Sequence, residues 1–109
     1  MDATQLAERT CKPCQGTEKP LKGEQLSQYQ PQVPDWEIVD EHHLRRAFKF
    51  PDFKTALAFV NRVGEVAEQE GHHPNVHLSW GKVIVETWTH KIGGLSESDF
   101  ILAAKIDRL

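Results

Sequence analysis

The run from Pro51 to Gly71 constrains the fold more than any other feature of the chain. Asp52 is a residue type that caps helix N-termini. Behind it Phe53, Ala56, Leu57, Val60, Val63 or Gly64, and Ala67 recur at helical spacing. Lys54, Asn61, Arg62, Glu65, Glu68 and Gln69 fall mostly on the other side. Gly71 supplies the left-handed residue favoured just past a helix end, and Pro74 cannot continue the helix. An amphipathic helix of this length needs a surface on which to bury its apolar stripe.

The flanking sequence offers that surface as two pairs of strands. Trp36-Glu37-Ile38-Val39 reads as a strand and Asp40-Glu41 as a turn. Leu44, Phe48 and Phe50 then alternate with His43, Arg45, Ala47 and Lys49, with Arg46 the exception on the apolar side. Beyond the helix, Val76, Leu78 and Trp80 alternate with His77 and Ser79, which makes Trp80 a core candidate. Gly81-Lys82 suits a two-residue hairpin turn, and Val83 to His90 is rich in β-branched and aromatic residues. Gly93-Gly94 breaks that strand. Ser96-Glu97-Ser98-Asp99 has the pattern of a capping box, followed by a helix from Phe100 to Leu109. A short helix around Leu26 and Tyr29 is stopped by Pro31 and Pro34. The expected architecture is therefore α+β, a two-layer sandwich in the order α-β-β-α-β-β-α. A four-stranded antiparallel sheet carries three helices on one face.

Residues 1–20 are polar and turn-prone and are expected as a flexible tail, with residues 21–109 as a single domain. The total of 109 residues leaves room for one domain. At 39% hydrophobic content a core is affordable. A net charge of −3 argues against a general nucleic-acid binder. The longest purely apolar runs, Ala56–Val60 and Phe100–Ala104, are far short of the about 20 residues a membrane helix needs. Met1 to Gln5 has neither a basic region nor an apolar stretch after it, so a cytoplasmic protein is expected. Cys11 and Cys14 are too few for a structural zinc and lack the βαβ context of a redox pair, which leaves a thiol-bearing tail.

Chemistry is suggested by the histidines, of which there are six, four of them in the pairs His42-His43 and His72-His73. Gly71-His72-His73-Pro74 joins the long helix to the second hairpin, and proline restricts the backbone beside the two rings. Glu68 lies one helical turn before His72, a spacing at which its carboxylate can accept an imidazole N–H and fix the tautomer. His90 stands at a strand end before a glycine loop. Two readings are open for each: a solvated polar loop, or side chains presented to a pocket. Three neutral histidines can also form a catalytic zinc site, but nothing in their spacing demands it.

Taken together, Glu68-x-x-x-His72-His73-Pro74, Trp80, His90 and Asp99 resemble the signature of the pterin-4a-carbinolamine dehydratases. Pro34-x-Trp36, Phe50-x-Asp52-Phe53 and Gly94-Leu95-Ser96-Glu97-x-Asp99 are also similar to that family, and the likeness runs from about Leu21 to Leu109. The Cys-x-x-Cys tail resembles bacterial members. The resemblance implies the fold already read from periodicity. It also implies a hydro-lyase that removes water from 4a-hydroxytetrahydrobiopterin in tetrahydrobiopterin recycling, giving quinonoid dihydropterin without a metal or other cofactor. His72, His73 and His90 would form the acid–base and binding set, with His72 and His90 moving protons and His73 holding the pterin. Glu68 would orient His72 or touch the ring. Asp99 is expected mainly as a helix cap. Trp36 is a candidate to stack on the substrate. The implied partners are the small-molecule pterin and further copies of the chain, as a homodimer or homotetramer. A functional link to an aromatic amino-acid hydroxylase is implied as well, and neither nucleic acid nor membrane is. Two alternatives stand beside this: a non-catalytic binding or dimerisation module of the transcriptional-cofactor kind, and a dehydratase serving molybdopterin metabolism.

Overall fold

The computed structural model describes residues 3–12, 16 and 18–109. Helix α1 (Ala3–Glu8) and helix α2 (Glu24–Tyr29) precede strands β1 (Glu37–Val39) and β2 (His43–Lys49). Helix α3 (Phe53–Glu70), strands β3 (Asn75–Ser79) and β4 (Lys82–Thr87) and helix α4 (Glu97–Ile106) complete the chain. Short 3-10 turns follow α2 at Gln30–Gln32 and β4 at His90–Ile92. The four strands form one antiparallel sheet in the order β1-β2-β4-β3.

Local chemistry sets the element ends. The carboxylate of Asp52 accepts from the Thr55 N–H at 2.8 Å and caps α3. At the other end Gly71 adopts φ 64°, a left-handed conformation that costs a glycine little. The capping box at α4 is present with both of its hydrogen bonds, between Ser96 and Asp99.

Alternation places Leu44, Val83, Val85 and Thr87 on the buried side of the sheet, beneath Ala56, Phe59, Val63 and Ala67 of α3 and nearly the whole of α4. The apolar residues of α3 therefore divide. Phe59 belongs to the core, whereas Phe53 and Leu57 are exposed. Arg46 can lie on the buried side because its guanidinium rests over the Phe48 ring, 4.5 Å from the centroid, and pairs with Asp107.

Three expectations are corrected by this arrangement. Trp80 is 69% exposed rather than in the core. The last β3–β4 pair is Ser79 with Lys82, so the turn is Trp80-Gly81, one residue earlier than expected, and Trp80 leaves the pleat at the hairpin tip. Gly81 is required there because a Cβ would come within 2.8 Å of the Phe50 carbonyl oxygen. Trp36, the candidate stacking residue, is only 1% exposed. Its Nε1–H donates to Asp107 Oδ1 at 2.8 Å, and its ring meets Phe48 edge-on inside the core. Within the stretch expected as a flexible tail, residues 3–12 are folded onto the body: Leu6 is fully buried, and Ala7 and Cys11 are buried with it. Cys14 lies outside the described residues. Among the described residues, no helix is long and apolar enough to cross a membrane.

Candidate active site

Period-two geometry builds one wall of the site. Thr87 and Thr89 are two apart and point to the same side, toward the start of α4. Their hydroxyls donate to Asp99, Thr87 Oγ1 to Oδ1 at 2.7 Å and Thr89 Oγ1 to Oδ2 at 2.8 Å. Trp88 and His90 occupy the other parity, and their rings stack with centroids 4.5 Å apart. Two backbone hydrogen bonds between Thr89 and Gly94 close the loop that carries His90, and Gly93 supplies the left-handed residue in it.

The opposite wall comes from the end of α3. The His72 N–H donates to the Ala67 carbonyl at 3.2 Å, which turns the chain back toward β3. Adjacent residues in extended backbone point apart, and the two histidines do so. His72 turns inward with a side chain 13% exposed, and its Nε2 lies 2.6 Å from Asp99 Oδ1. His73 turns outward, 61% exposed, and its Nε2 pairs with Glu68 Oε2. Glu68 thus holds His73, not His72; the residue that holds His72 is Asp99.

Asp99 is fully buried and accepts from four groups: Thr87, Thr89, the Ser96 N–H at 3.0 Å, and His72. A carboxylate ringed by hydroxyl and amide donors is an acceptor only, so the proton in the His72 contact sits on Nε2. That leaves Nδ1 of a neutral His72 ring with its lone pair. The cap expected of Asp99 is real, and the same side chain fixes an imidazole.

Between the walls lies an open cavity of about 340 Å³ lined by Lys12, Gly71, His72, His73, Trp88, Thr89, His90 and Lys91. This is large enough for a small heterocycle. The three histidines singled out in the sequence meet here, and Trp36 does not. Trp88 and Lys12 were not singled out. Trp88 was legible as a partner of His90 on the same strand face. His42 and His43 also neighbour Trp88, with ring centroids 5.1 and 5.8 Å from it. Among the described residues, no group of three or more His, Cys, Asp or Glu is placed to hold a metal ion.

Comparison with known proteins identifies the family of the chain. The model of the family described as pterin 4 alpha carbinolamine dehydratase matches residues 19–109. A protein of Rubrobacter xylanophilus provisionally named pterin-4-alpha-carbinolamine dehydratase is 57% identical, over 97% of this chain and 99% of its own length. A protein of Alkaliphilus metalliredigens with the same provisional name is 50% identical, over 94% of each chain. The crystal structure of a transcriptional coactivator/pterin dehydratase from Brucella melitensis superposes with a TM-score of 0.77 at 29% identity, covering 84% of this chain and 97% of that one. Family model, near full-length relatives and fold agree, and the chain belongs to the pterin 4 alpha carbinolamine dehydratase family.

Proposed function

We propose that this chain dehydrates a pterin-4a-carbinolamine, with His72 and His90 transferring protons and His73 holding the substrate. The observation that carries the reading is the meeting of His72, His73 and His90 around one cavity beside Trp88. The reaction breaks the C4a–O bond, removes the N5 proton and forms a C4a=N5 double bond with release of water. It therefore needs a base at N5 and an acid at the hydroxyl, and imidazoles serve either role near neutral pH. His72 suits the base. Its Nε2–H is committed to Asp99, so Nδ1 can take a proton while the resulting imidazolium faces a carboxylate. His90 suits the acid, being exposed at the cavity and stacked on Trp88. Glu68 steadies the His73 ring. The product is a quinonoid dihydropterin, which suits recycling of a hydroxylase's tetrahydropterin in the cytoplasm. The exposed apolar residues Phe53 and Leu57 on α3 support self-association as a homodimer or homotetramer.

A dehydratase assay tests this. The carbinolamine is generated in place by a phenylalanine hydroxylase, and quinonoid dihydropterin is followed for wild type, His73→Ala and His90→Ala. Acceleration that both variants lose supports the reading. Absence of acceleration by the folded wild type overturns it in favour of a binding module, a reading favoured by the coactivator role in the name of the Brucella melitensis structure.

A further inference from the structure

One residue lining the cavity comes from outside the part of the chain that the family model matches. Lys12 precedes residue 19, where that match begins. Its backbone is held on both polar groups by a single side chain. The Lys12 N–H donates to Ser98 Oγ at 3.1 Å, and Ser98 Oγ donates to the Lys12 carbonyl at 3.3 Å. The preceding residue is held as firmly. The Cys11 N–H donates to Glu70 Oε1 at 2.9 Å, and Cys11 Sγ donates to the Ser98 carbonyl at 3.3 Å.

These anchors have a telling location. Glu70 is the last residue of α3, two before His72, and Ser98 is the neighbour of Asp99. The segment is thus fastened to both chain stretches that carry the His72–Asp99 pair. Covering apolar surface, which Leu6 and Ala7 already do, requires no such grip on the residue beside the cavity. Among the described residues, the cations lining the cavity beside the histidines are Lys12 and Lys91, and no carboxylate lines it. An ammonium placed there is matched to an electron-rich oxygen.

We propose that Lys12 is a substrate-binding residue, its ammonium donating to an acceptor oxygen of the bound pterin. This rests on the dehydratase reading above. Two oxygens offer that chemistry, the ring carbonyl and a hydroxyl of the C6 side chain. The Ser98 hydroxyl then acts as a positioning residue, holding the backbone from which Lys12 reaches the cavity.

The test compares wild type, Lys12→Met, Lys12→Arg and Ser98→Ala on two carbinolamines, one with a dihydroxypropyl group at C6 and one with a methyl group. Lys12 is exposed, so its variants fold. Loss of a charge-assisted hydrogen bond raises KM by on the order of tenfold in Lys12→Met, with kcat little changed and Lys12→Arg largely restored. A rise with both substrates assigns the ring carbonyl, and a rise confined to the dihydroxypropyl substrate assigns the side chain. Ser98→Ala raises KM in the same sense and adds little when combined with Lys12→Met, since both act through one contact. Equal kcat/KM for wild type and Lys12→Met on both substrates overturns the proposal. A wild type inactive on both substrates overturns the underlying dehydratase reading instead.

Discussion

His72 Nε2 and Thr87 Oγ1 converge on the same oxygen, Oδ1 of the buried Asp99, at 2.6 and 2.7 Å. An Asp99→Asn variant keeps one acceptor and turns an amide NH2 toward groups that are themselves donors. Loss of about 2 kcal/mol of stability is expected, from the broken cap and the unpaired hydroxyls. The dehydratase kcat is expected to fall by at least about tenfold as His72 loses its fixed tautomer. Denaturant unfolding checks the first outcome and steady-state kinetics the second. Imidazole nitrogen NMR of the wild type should show His72 with its proton on Nε2.

Trp88 forms the aromatic side of the cavity. Replacing it with leucine keeps the strand but removes the stacking surface shared with His90. A rise in KM of about three- to tenfold is expected, with the circular dichroism of the fold unchanged. An unaltered KM would exclude Trp88 from substrate contact.

Trp36 and Trp80 are opposites in energetic terms. Trp36→Phe removes the indole donor of Asp107 inside the core and is expected to cost about 1–3 kcal/mol. Trp80→Ser at the hairpin tip is expected to stay within about 0.5 kcal/mol of wild type. Urea midpoints of the two variants settle the comparison, and kcat/KM should remain near wild type in both.

The attachment of the N-terminal segment is acid-sensitive. Burial alone would raise the Glu70 carboxyl, but the Cys11 N–H and Lys105 outweigh it and hold the group below its ordinary value of 4.5. A depressed carboxylate contributes stability that is complete above that ordinary value and is lost as pH falls through the lowered one. Amide exchange at Cys11, corrected for the intrinsic pH dependence, should therefore accelerate on acidification below about pH 4.5. In Glu70→Gln the step should vanish.

Burial, reinforced by Glu70, pushes the Cys11 thiol up to about 12. The thiolate needed for alkylation is then nearly absent at pH 8. In a Cys14→Ser background, iodoacetamide should label Cys11 slowly in native protein and rapidly in urea. Fast native labelling would show that the segment detaches.

Much of the fold was legible because its punctuation is local. Asp52, Gly71 and the Ser96–Asp99 box each act within a few residues, and alternation sorted the strand faces without tertiary knowledge. The site was legible only as a set of histidines. Glu68 is close enough in sequence to reach His72 or His73, and the choice depends on how the chain reverses after Gly71. Asp99 looked like a cap because capping is what local sequence reveals; its bonds to His72, Thr87 and Thr89 cross between elements. Trp80 was misplaced because the alternation of Val76 and Leu78 was carried one residue past the end of β3 at Ser79, into a turn where a period of two no longer decides the environment. The docking of residues 3–12 rests on single anchors such as Leu6 and Ser98, which leave no periodic trace.

The three tryptophans occupy three different surroundings, so the protein carries its own optical probes. Trp36 sits in the packed interior and reports global unfolding. Trp80 stands in water at the hairpin tip, and its emission is a nearly constant background that Trp80→Phe would remove. Trp88 touches the ring of His90 and is the indole whose light a bound heterocycle would quench. Fluorescence of the Trp80→Phe chain would therefore separate ligand occupancy from loss of structure without any label.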